Sequence, residues 1–488
     1  MNSIAPKCRY RAYDTDGLLL SAGALTLARS ASTGLPASAA VDGVATAYTY
    51  DSTGVVIGAT TTTNGTPLYA YQRERDALDR IVRKVETVSG TTTDTRFAYD
   101  SAGRLRSVTR DGVASAAYEY DANGNCTRRT SSAGIELGVV DAQDRLTSYG
   151  GATYQYTDAG ELTRQIASTD TTTYHYDAMG ALRWVQQPNG TRIDYVIDAA
   201  GRRVGRKVNG ALTQGFLYEG ELRIAAELTP SGAVLSRFVY GTQVNVPEYM
   251  ERAGTRYRLL TDHLGSVRLV VDATTGAVQQ QLEYDEYGRV RINTNPGCQP
   301  FGYAGGLFDS VTGLVRFGAR DYNAQAGRWT VKDPAGFDGA DANMYRYASA
   351  DPLNFMDPSG LRPLTRCEKQ TLAPYIPGVD LGHANIHDDG LPIPALPDVV
   401  GMTFGNDIYF RENAYDSGSA SGIALLGHEL VHVGQYRRGE LTIPRYVLFA
   451  ALHFWDNKNS KYEKPAYKLD LDIFSDLQNP SRNKCKCE

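Results

Sequence analysis

A short motif recurs between Tyr48 and Gly288, and it constrains the fold more than any other feature of this sequence. The motif is Tyr-x-Tyr-Asp-x-x-Gly, with full copies beginning at Tyr48, Tyr118 and Tyr174. Tyrosines two positions apart lie on one face of a β-strand. The aspartate can accept a backbone N–H in a four-residue turn that the glycine closes. Each copy therefore predicts one β-hairpin, which cannot bury its face without neighbours.

The composition agrees with a repetitive, β-rich chain. The sequence has 488 residues, too many for one ordinary core, which predicts two or three domains. It contains 32 tyrosines against 13 phenylalanines, a ratio typical of half-buried strands whose polar tips reach water. We therefore expect a mainly β scaffold, built as a spiral or shell of hairpins. A carbohydrate-binding surface formed by the tyrosines is the alternative for this region.

Two further segments carry a resemblance to a known family. One is the run Leu259–Val267; the other extends from Pro300 to Leu361 and contains the motifs Arg320-Asp321-Tyr322 and Gly327-Arg328-Trp329. Together with the hairpin motif, they resemble the YD-repeat, or Rhs, proteins and their core-associated segment. In that family the repeats form a hollow β-shell around a variable C-terminal toxin. The resemblance implies the same organisation here, in a short member with about ten hairpins.

The resemblance and the composition together predict three domains. Residues 1–299 form the repeat scaffold, residues 300–361 the Rhs core-associated segment, and residues 362–488 a smaller α+β domain. The tyrosine motifs stop before the last domain, and five of the seven histidines lie within it. The first and second domains are thus expected to carry the third.

The end of the core-associated segment contains two similar motifs, Asp333-Pro-Ala-Gly and Asp357-Pro-Ser-Gly-Leu. Proline and glycine make both of them tight turns. Two carboxylates brought close together can also act as an acid and a base. The resemblance implies such a role, because members of the family cut themselves after the second motif. Carried over, Asp333 and Asp357 become the catalytic pair, Arg328 a supporting charge, and Leu361–Arg362 the bond that is cut.

The last domain contains the strongest chemical signal, the run His428-Glu429-Leu-Val-His432. Histidines four positions apart project from one face of a helix and can give two nitrogen ligands to one Zn²⁺, while Glu429 faces the metal-bound water. The surroundings predict a helix, since serines at 417, 419 and 421 can cap its start and Gly439 can end it. Apolar residues also recur at helical spacing, at Ile423, Leu426, Leu430 and Val433.

Catalytic zinc sites usually have three protein ligands and a water molecule, so a third ligand must come from elsewhere in the chain. The candidates that follow the motif are Glu463, His453, Asp456, Asp470 and Asp472. The segment resembles the zincin-like metallopeptidase domains of bacterial toxin-delivery systems, whose downstream Tyr-Glu pair implies Glu463 as the third ligand. His383 and His387 are also four apart, but neighbouring glycine and aspartates favour a loop or strand there.

These features predict a toxin whose C-terminal domain hydrolyses peptide bonds with zinc after its release by self-cleavage. Its expected partners are a protein substrate in a target cell, an immunity protein and a secretion apparatus that delivers it. The strand Asp407–Phe410 is the candidate edge to which an extended substrate adds. A disulfide from Cys367 to Cys485 or Cys487 stays open.

Other classes of function are weighed against this one. Residues 362–488 contain 14 lysines and arginines against 16 aspartates and glutamates, so nothing predicts binding to nucleic acid. No apolar stretch is long enough to span a bilayer, and we recognise no cleavable signal peptide. A non-enzymatic binding or delivery module and a cell-surface carbohydrate-binding protein are the alternatives.

Overall fold

The computed structural model describes residues 11–14, 18–52, 54–220, 222–241, 243, 245–334, 341–360, 362–363, 371–372, 375–376, 384–387, 400–404, 407–411, 415, 419–437 and 463–478. Within these residues the protein is mainly β, as the hairpin motif predicts. Twenty-eight strands, β1–β28, form one sheet in which each strand pairs in antiparallel fashion with the next along the chain. The protein is therefore a continuous ribbon of hairpins followed by smaller units.

The strands of the ribbon are short and of similar length. Their bounds are β1 Arg11–Tyr13, β2 Leu19–Ala22, β3 Leu25–Arg29, β4 Pro36–Val41, β5 Val44–Tyr50, β6 Val56–Thr63, β7 Thr66–Arg75, β8 Ile81–Val88, β9 Thr91–Tyr99, β10 Leu105–Arg110, β11 Val113–Tyr120, β12 Cys126–Ser131, β13 Gly134–Val140, β14 Leu146–Tyr149, β15 Ala152–Tyr156, β16 Leu162–Ala167, β17 Asp170–Tyr176, β18 Leu182–Gln186, β19 Arg192–Ile197, β20 Arg203–Val208, β21 Ala211–Glu219, β22 Arg223–Leu228, β23 Val234–Val239, β24 Tyr249–Arg252, β25 Thr255–Thr261, β26 Val267–Asp272, β27 Val278–Tyr284 and β28 Val290–Asn293.

The turn between β9 and β10 illustrates how the motif produces a hairpin. The Asp100 carboxylate accepts the backbone N–H of Ala102 at 3.0 Å and of Arg104 at 2.9 Å. Gly103 closes the turn with a φ of 83°, a left-handed conformation that glycine adopts without strain. The Arg104 guanidinium returns to the same aspartate, with its Nε 2.7 Å from Oδ2. The aspartate therefore organises the whole turn.

A tyrosine connects each of several hairpins to the hairpin before it. The Tyr120 hydroxyl donates to the backbone oxygen of Leu105 at 2.8 Å, and Arg104 lies over the Tyr120 ring at 4.9 Å. The same tyrosine–carbonyl bond and arginine–ring contact recur at Tyr99 with Ile81 and Arg80, Tyr218 with Arg203 and Arg202, and Tyr240 with Ile224 and Arg223. We call this pair of contacts the tyrosine latch.

The ribbon coils, so that hairpins distant in sequence meet. The Gly43 N–H donates to the Ala273 carbonyl at 2.8 Å, and the Ala24 N–H donates to the Tyr249 hydroxyl at 2.9 Å. Arg268 forms a buried ion pair with Glu86 at 2.9 Å. The first hairpins therefore pack against strands β24–β26, which agrees with the predicted spiral.

The segment from Phe301 to Gly360 packs across the hairpins as an internal brace. It contains a small sheet of β29 Leu307–Phe308, β30 Leu314–Phe317, β31 Arg320–Asn323 and β32 Arg328–Trp329, and two 3-10 turns at Tyr303–Gly305 and Ala348–Ala350. Its aromatic core is buried around Tyr322, Trp329 and Tyr347. Hydrogen bonds reach hairpins far apart: Tyr345 donates to the Gly160 carbonyl at 2.7 Å, and the Ile81 N–H donates to Asn354 at 2.9 Å.

The residues after Gly360 form a separate small α+β core. Four strands, β33 Arg362–Pro363, β34 Asn385–His387, β35 Gly401–Phe404 and β36 Asp407–Phe410, form a mixed sheet in the order β33-β34-β36-β35. Two helices, α1 Ala420–Arg437 and α2 Glu463–Gln478, pack on each other, and α1 also packs on strands β35 and β36. Of the described helices, none is long and apolar enough to cross a membrane.

The burial of aromatic side chains bears on the carbohydrate-binding alternative. The motif tyrosines Tyr118 and Tyr174 are buried in the shell, and so is Tyr69 on β7. The Trp184 ring stacks on His175 at 5.0 Å and lies under Arg192 at 4.4 Å. Among the large apolar side chains exposed within the described ranges, Tyr13 is the one aromatic residue. These observations favour a scaffold role for the tyrosines.

The tyrosine latch gives a prediction about stability. We expect Tyr218→Phe to lower the free energy of unfolding by about 1 kcal/mol, because the substitution removes the hydrogen bond to the Arg203 carbonyl and keeps the ring. Urea unfolding followed by tryptophan fluorescence measures this loss. Tyr13→Phe is the matched control, since Tyr13 is half exposed, and an equal loss in both variants would contradict a specific role for the latch.

His263 gives a prediction about pH, because it joins the repeats to the brace through a bond between its Nε2 and the Leu353 carbonyl, 2.9 Å long. Burial, followed by the charges of Arg73 and Lys84, lowers the pKa of His263 well below its usual range. The unfolded chain therefore takes up a proton first as the pH falls below about 6.5. We expect this residue to cost up to ~1.4 kcal/mol of stability for each pH unit below that value.

The measurement is the free energy of unfolding at pH 7 and pH 5 in the native chain and in His263→Gln. Glutamine can still donate to the Leu353 carbonyl, but it does not titrate. The difference in stability between the two proteins should shrink, or change sign, at pH 5. A difference that is the same at both pH values would rule out the proposed linkage.

Candidate metal centre and cleavage site

Helix α1 positions the two histidines of the His-Glu-x-x-His motif. The Ser419 hydroxyl caps the helix by accepting the Gly422 N–H at 2.9 Å. The apolar residues at helical spacing, Ile423, Leu426, Leu430 and Val433, are all buried in one apolar cluster. The helix ends at Arg437, before Gly439, which lies outside the described residues. The opposite side of α1 thus presents His428 and His432 to α2.

The structure brings His428, His432 and Glu463 together. The Nε2 atoms of His428 and His432 lie 3.3 Å and 3.4 Å from the same oxygen, Oε2 of Glu463. All three residues are more than nine-tenths buried. Among the described residues this is the one group of three or more histidine, cysteine, aspartate or glutamate side chains whose donor atoms lie close enough to hold one metal ion.

Hydrogen bonds orient the His432 ring and pair it with Glu463. Nδ1 of His432 lies 2.9 Å from the Gln435 Oε1, and this amide oxygen can only accept, so the Nδ1 carries a proton and the Nε2 is the ring nitrogen that faces Glu463. Burial alone would lower the pKa of His432, but its bond to Glu463 raises the pKa to about 9. Burial would raise the pKa of Glu463, but the two histidines lower it to about 2.

The start of α2 explains how Glu463 reaches the histidines. The helix begins at Glu463, and Pro465 occupies its first turn. Proline is tolerated there because the first N–H groups of a helix have no partner within the helix. Of the competing ligands, Asp470 and Asp472 lie on α2 outside the cluster, and His453 and Asp456 lie outside the described residues.

Glu429 is buried beside the cluster, against strand β35. The Thr403 hydroxyl donates to its Oε2 at 2.7 Å. A Cβ at Gly401 would lie only 2.5 Å from its Oε1, so glycine leaves the space that the carboxylate occupies. Thr403 therefore holds the Glu429 carboxylate by a hydrogen bond, and Gly401 on the same strand leaves room for it.

Strand β36, Asp407–Phe410, is not the edge of the sheet, and that prediction was wrong. It pairs in parallel with β34 on one side and in antiparallel fashion with β35 on the other. Among the described strands, β35 has a neighbour on one side only, and it is the strand next to Glu429. The order of the strands comes from contacts between distant segments, which hydrophobic patterns do not specify.

The two aspartates of the repeated Asp-Pro motifs meet at one arginine. The Arg320 Nη2 lies 2.8 Å from the Asp333 Oδ2 and 3.0 Å from the Asp357 Oδ2. Its Nε donates to the Gly360 carbonyl at 2.6 Å. Arg320 is buried and stacks on Trp329 at 4.2 Å. This side chain thus joins both carboxylates to the residue that precedes Leu361.

Among the described residues, the arginine that contacts Asp333 and Asp357 is Arg320 and not Arg328, which was the predicted supporting charge. Arg328 donates to the backbone oxygen of Asp144 and lies over the Tyr345 ring at 5.0 Å. The reason is the alternation of side chains along a strand. Trp329 faces Arg320, so its neighbour Arg328 on β32 faces the opposite way.

The turn before the predicted cleavage point is tightly constrained. Gly360 has a φ of 66°, and a Cβ at this position would collide with the Phe317 carbonyl. The Ala319 N–H donates to the Ser359 carbonyl at 2.7 Å, and the Ser359 hydroxyl donates to the Asp357 Oδ1 at 3.2 Å. Leu361 lies outside the described residues, and the chain is described again at Arg362. The geometry of the bond between them is therefore not described.

Sequence reasoning missed three residues of these sites, namely Arg320, Thr403 and Gln435. Arg320 lies in the Arg320-Asp321-Tyr322 motif, but nothing in that motif predicts its contact with Asp333 and Asp357. Gln435 is three positions after His432 on the same helix, a spacing that places side chains together. Thr403 has no comparable signal, because it reaches Glu429 from another element. Cys367, Cys485, Cys487 and His383 lie outside the described residues, and so does the side chain of His387.

Comparisons with family models match two parts of the chain. The model described as Teneurin YD-shell matches residues 2–353. The model described as eCIS core domain matches residues 370–440, which include His428 and His432. Residues 354–369, which include the end of the brace, separate the two matches.

Individual proteins similar to the chain agree with the first match. Teneurin-3 of Danio rerio is 28% identical over 301 residues, which are 59% of this chain and 11% of that protein. Double-stranded DNA deaminase toxin A of Burkholderia cenocepacia (strain H111) is 28% identical over 374 residues, 67% of this chain and 24% of the toxin. The chain therefore spans between about a tenth and a quarter of the length of these relatives.

Solved structures similar to the protein agree with its fold. The pore of the Photorhabdus luminescens Tc holotoxin superposes with a TM-score of 0.59 at 19% identity, over 72% of this chain and 20% of that one. The TcdB2-TccC3 crystal structure gives a TM-score of 0.52 at 21% identity, over 72% and 21%. At these identities the likeness concerns the fold alone.

Proposed function

Because the chain belongs to the Teneurin YD-shell family, we propose that it is a toxin of the Rhs type whose C-terminal domain hydrolyses peptide bonds. The observation that carries this proposal is the convergence of the His428 and His432 nitrogens on one oxygen of Glu463. One protein similar to this chain is a toxin, and a solved structure with a similar fold belongs to a toxin complex. Both support the proposal that the protein is delivered to a target cell. An immunity protein and a secretion apparatus are the partners that this setting requires.

The three convergent side chains fit a zinc ion. Two imidazoles and one carboxylate form a common ligand set of catalytic zinc, and the Gln435 bond leaves the His432 Nε2 free to coordinate. Zinc bound there would lower the pKa of a water molecule and polarise a carbonyl group. Without the metal, two histidines hold one carboxylate in a buried ion pair, an arrangement that metal binding would replace.

Glu429 supplies the proton transfer. Thr403 donates to its Oε2, so the Oε1 remains to accept a proton from the attacking water and to return it to the leaving amine nitrogen. Strand β35 lies beside this carboxylate, and an extended peptide could add to its open side. Gly401, on the same strand, leaves the space that the carboxylate needs.

We also propose that the protein cuts itself after Leu361. Asp333 and Asp357 share the Arg320 Nη2, which brings two carboxylates together while offsetting their charge. Such a pair can supply one acid and one base for hydrolysis. Arg320 also holds the Gly360 carbonyl, so the chain just before the cleaved bond is fixed relative to the pair. Cleavage would release residues 362–488 from the shell.

Metal content tests the zinc site. We expect about one zinc per chain by mass spectrometry, loss of zinc in His432→Ala and Glu463→Ala, and retention in Glu429→Gln. We expect Gln435→Leu to weaken zinc binding ~10–100-fold, because it removes the bond that orients His432. A native protein without zinc would overturn the peptidase proposal and leave a binding or delivery module.

The hydrolytic step requires its own test. New N-termini in a target-cell extract, identified by mass spectrometry, should appear with the native protein and not with Glu429→Gln. Equal numbers of new termini from the two proteins would contradict a role for Glu429. A zinc-containing protein that produces none would favour the binding alternative.

Gel electrophoresis and N-terminal sequencing test self-cleavage. The purified protein should yield a fragment that begins at Arg362, and Asp333→Asn, Asp357→Asn and Arg320→Gln should each abolish it. Asp309→Asn is the matched control, since Asp309 is a buried aspartate of the brace paired with Arg206 at 2.8 Å. Cleavage that persists in Asp357→Asn would contradict the assigned pair.

A further inference from the structure

A cavity lies where the brace meets the hairpins around Tyr120 and Tyr149, and its free volume is about 40 Å³. Four arginines line it, and three of them form ion pairs. Arg129 is paired with Glu136 and Asp285, Arg289 with Glu136, and Arg346 with Asp341. The fourth arginine, Arg328, makes no ion pair with any described residue.

Arg328 is more than nine-tenths buried, and its only described hydrogen bond goes to the backbone oxygen of Asp144. Its Nε is buried without a hydrogen-bond partner among the described residues. The Asp144 carboxylate forms no ion pair with Arg328, and its Oδ1 accepts from the Asn125 amide at 2.7 Å and the Asn123 amide at 3.2 Å. The guanidinium therefore lines a cavity without a direct ion pair to a described residue, and the charges of Asp144 and Asp121 act on it only through space.

A buried charge without a counter-charge is costly, and this protein avoids it elsewhere. Four other buried arginines, Arg203, Arg258, Arg268 and Arg316, each contact a carboxylate at 2.5–2.9 Å. Burial lowers the pKa of Arg328. Arg328 is thus an exception to the pattern of the shell and requires a specific explanation.

The other groups on the cavity wall cannot supply the missing negative charge. Burial raises the pKa of the Cys126 thiol to about 11 and the pKa values of Tyr149 and Tyr345 above their usual range. These side chains are therefore neutral near pH 7. Tyr347 also lines the cavity, and its hydroxyl is buried. The wall offers a cation and a donor, the two features that an oxyanion needs.

We propose that this cavity binds a small oxyanion, a carboxylate or an inorganic phosphate, through Arg328 and the Tyr347 hydroxyl. The volume suits a molecule of a few heavy atoms, since about 10–15 Å³ of such space accommodates one water molecule. Arg328 and Tyr347 belong to the brace, while the Asp144 carbonyl that Arg328 contacts belongs to the repeats. The anion neutralises the charge at this junction and so strengthens the attachment of the brace to the shell.

Thermal unfolding of the full chain tests the proposal. Sodium acetate and sodium phosphate are titrated separately at constant ionic strength, with gluconate, which is too large for the cavity, as the balancing anion. We expect a saturable rise in Tm with at least one of the two probes, which also identifies the class of oxyanion. The rise should be lost in Arg328→Gln, and in Tyr347→Phe the Kd should increase about 10-fold.

Arg110→Gln is the matched control. Arg110 also has a buried Nε without a described partner, but it does not line the cavity. Its variant should keep the saturable rise. A rise of the same size in Arg328→Gln, or no saturable rise with either probe in the native protein, would overturn the proposal.

A second measurement does not depend on the folding of any variant. Crystals of the native protein grown in sodium bromide should give an anomalous peak within hydrogen-bonding distance of the Arg328 Nε. No peak there, or an Asp144 carboxylate that has turned to pair with Arg328, would overturn the proposal. The cavity contains neither the zinc ligands nor the Arg320 pair, so these outcomes are independent of the peptidase and self-cleavage proposals.

Discussion

A recurring hydrogen bond connects several hairpins of the scaffold, in which a tyrosine hydroxyl donates to a carbonyl of the preceding hairpin. Tyr120 makes this bond to Leu105, while Arg104 of the earlier turn covers the tyrosine ring. A hairpin cannot bury its apolar face alone. The tyrosine latch joins a hairpin to the one before it, so that the two pack against each other. Among the described residues, the order of the hairpins in the sheet follows their order in the chain, and each of the 28 strands of the ribbon pairs with the next one.

A ribbon of this kind needs something to hold its coils together, and the segment from Phe301 to Gly360 does so. Its side chains contact hairpins that lie more than a hundred residues away in the sequence. Tyr345 donates to the Gly160 carbonyl, and Asp321 forms an ion pair with Arg203. Many of these contacts are buried and charged, so they are costly unless each charge has a partner. The same arrangement places Arg320 between Asp333 and Asp357, which makes the proposed cleavage site a product of the bracing.

The cluster of His428, His432 and Glu463 is assembled differently, because its three side chains come from two helices that pack against each other. One turn of α1 brings His428 and His432 to the same face, and the first residue of α2 brings Glu463 opposite them. The strand beside them holds Glu429 through Thr403. The proposed general base and the proposed metal ligands therefore have separate supporting contacts, so that a change at Thr403 or Gly401 would disturb Glu429 and leave His428, His432 and Glu463 in place.

Local features of this protein were determined by the sequence alone. The Asp-x-x-Gly turns, the inward tyrosines and the helix with His428 and His432 depend on residues at most a few positions apart, whose spacing decides their conformation. The resemblance to known families supplied Glu463 and the two aspartates. Only the tertiary structure decided that Arg320 rather than Arg328 joins the aspartates, that Gly401–Phe404 rather than Asp407–Phe410 lies at the sheet edge, and that Thr403 holds Glu429. These outcomes depend on which face a strand presents and which strand lies beside it, and both are set by packing between segments distant in the chain.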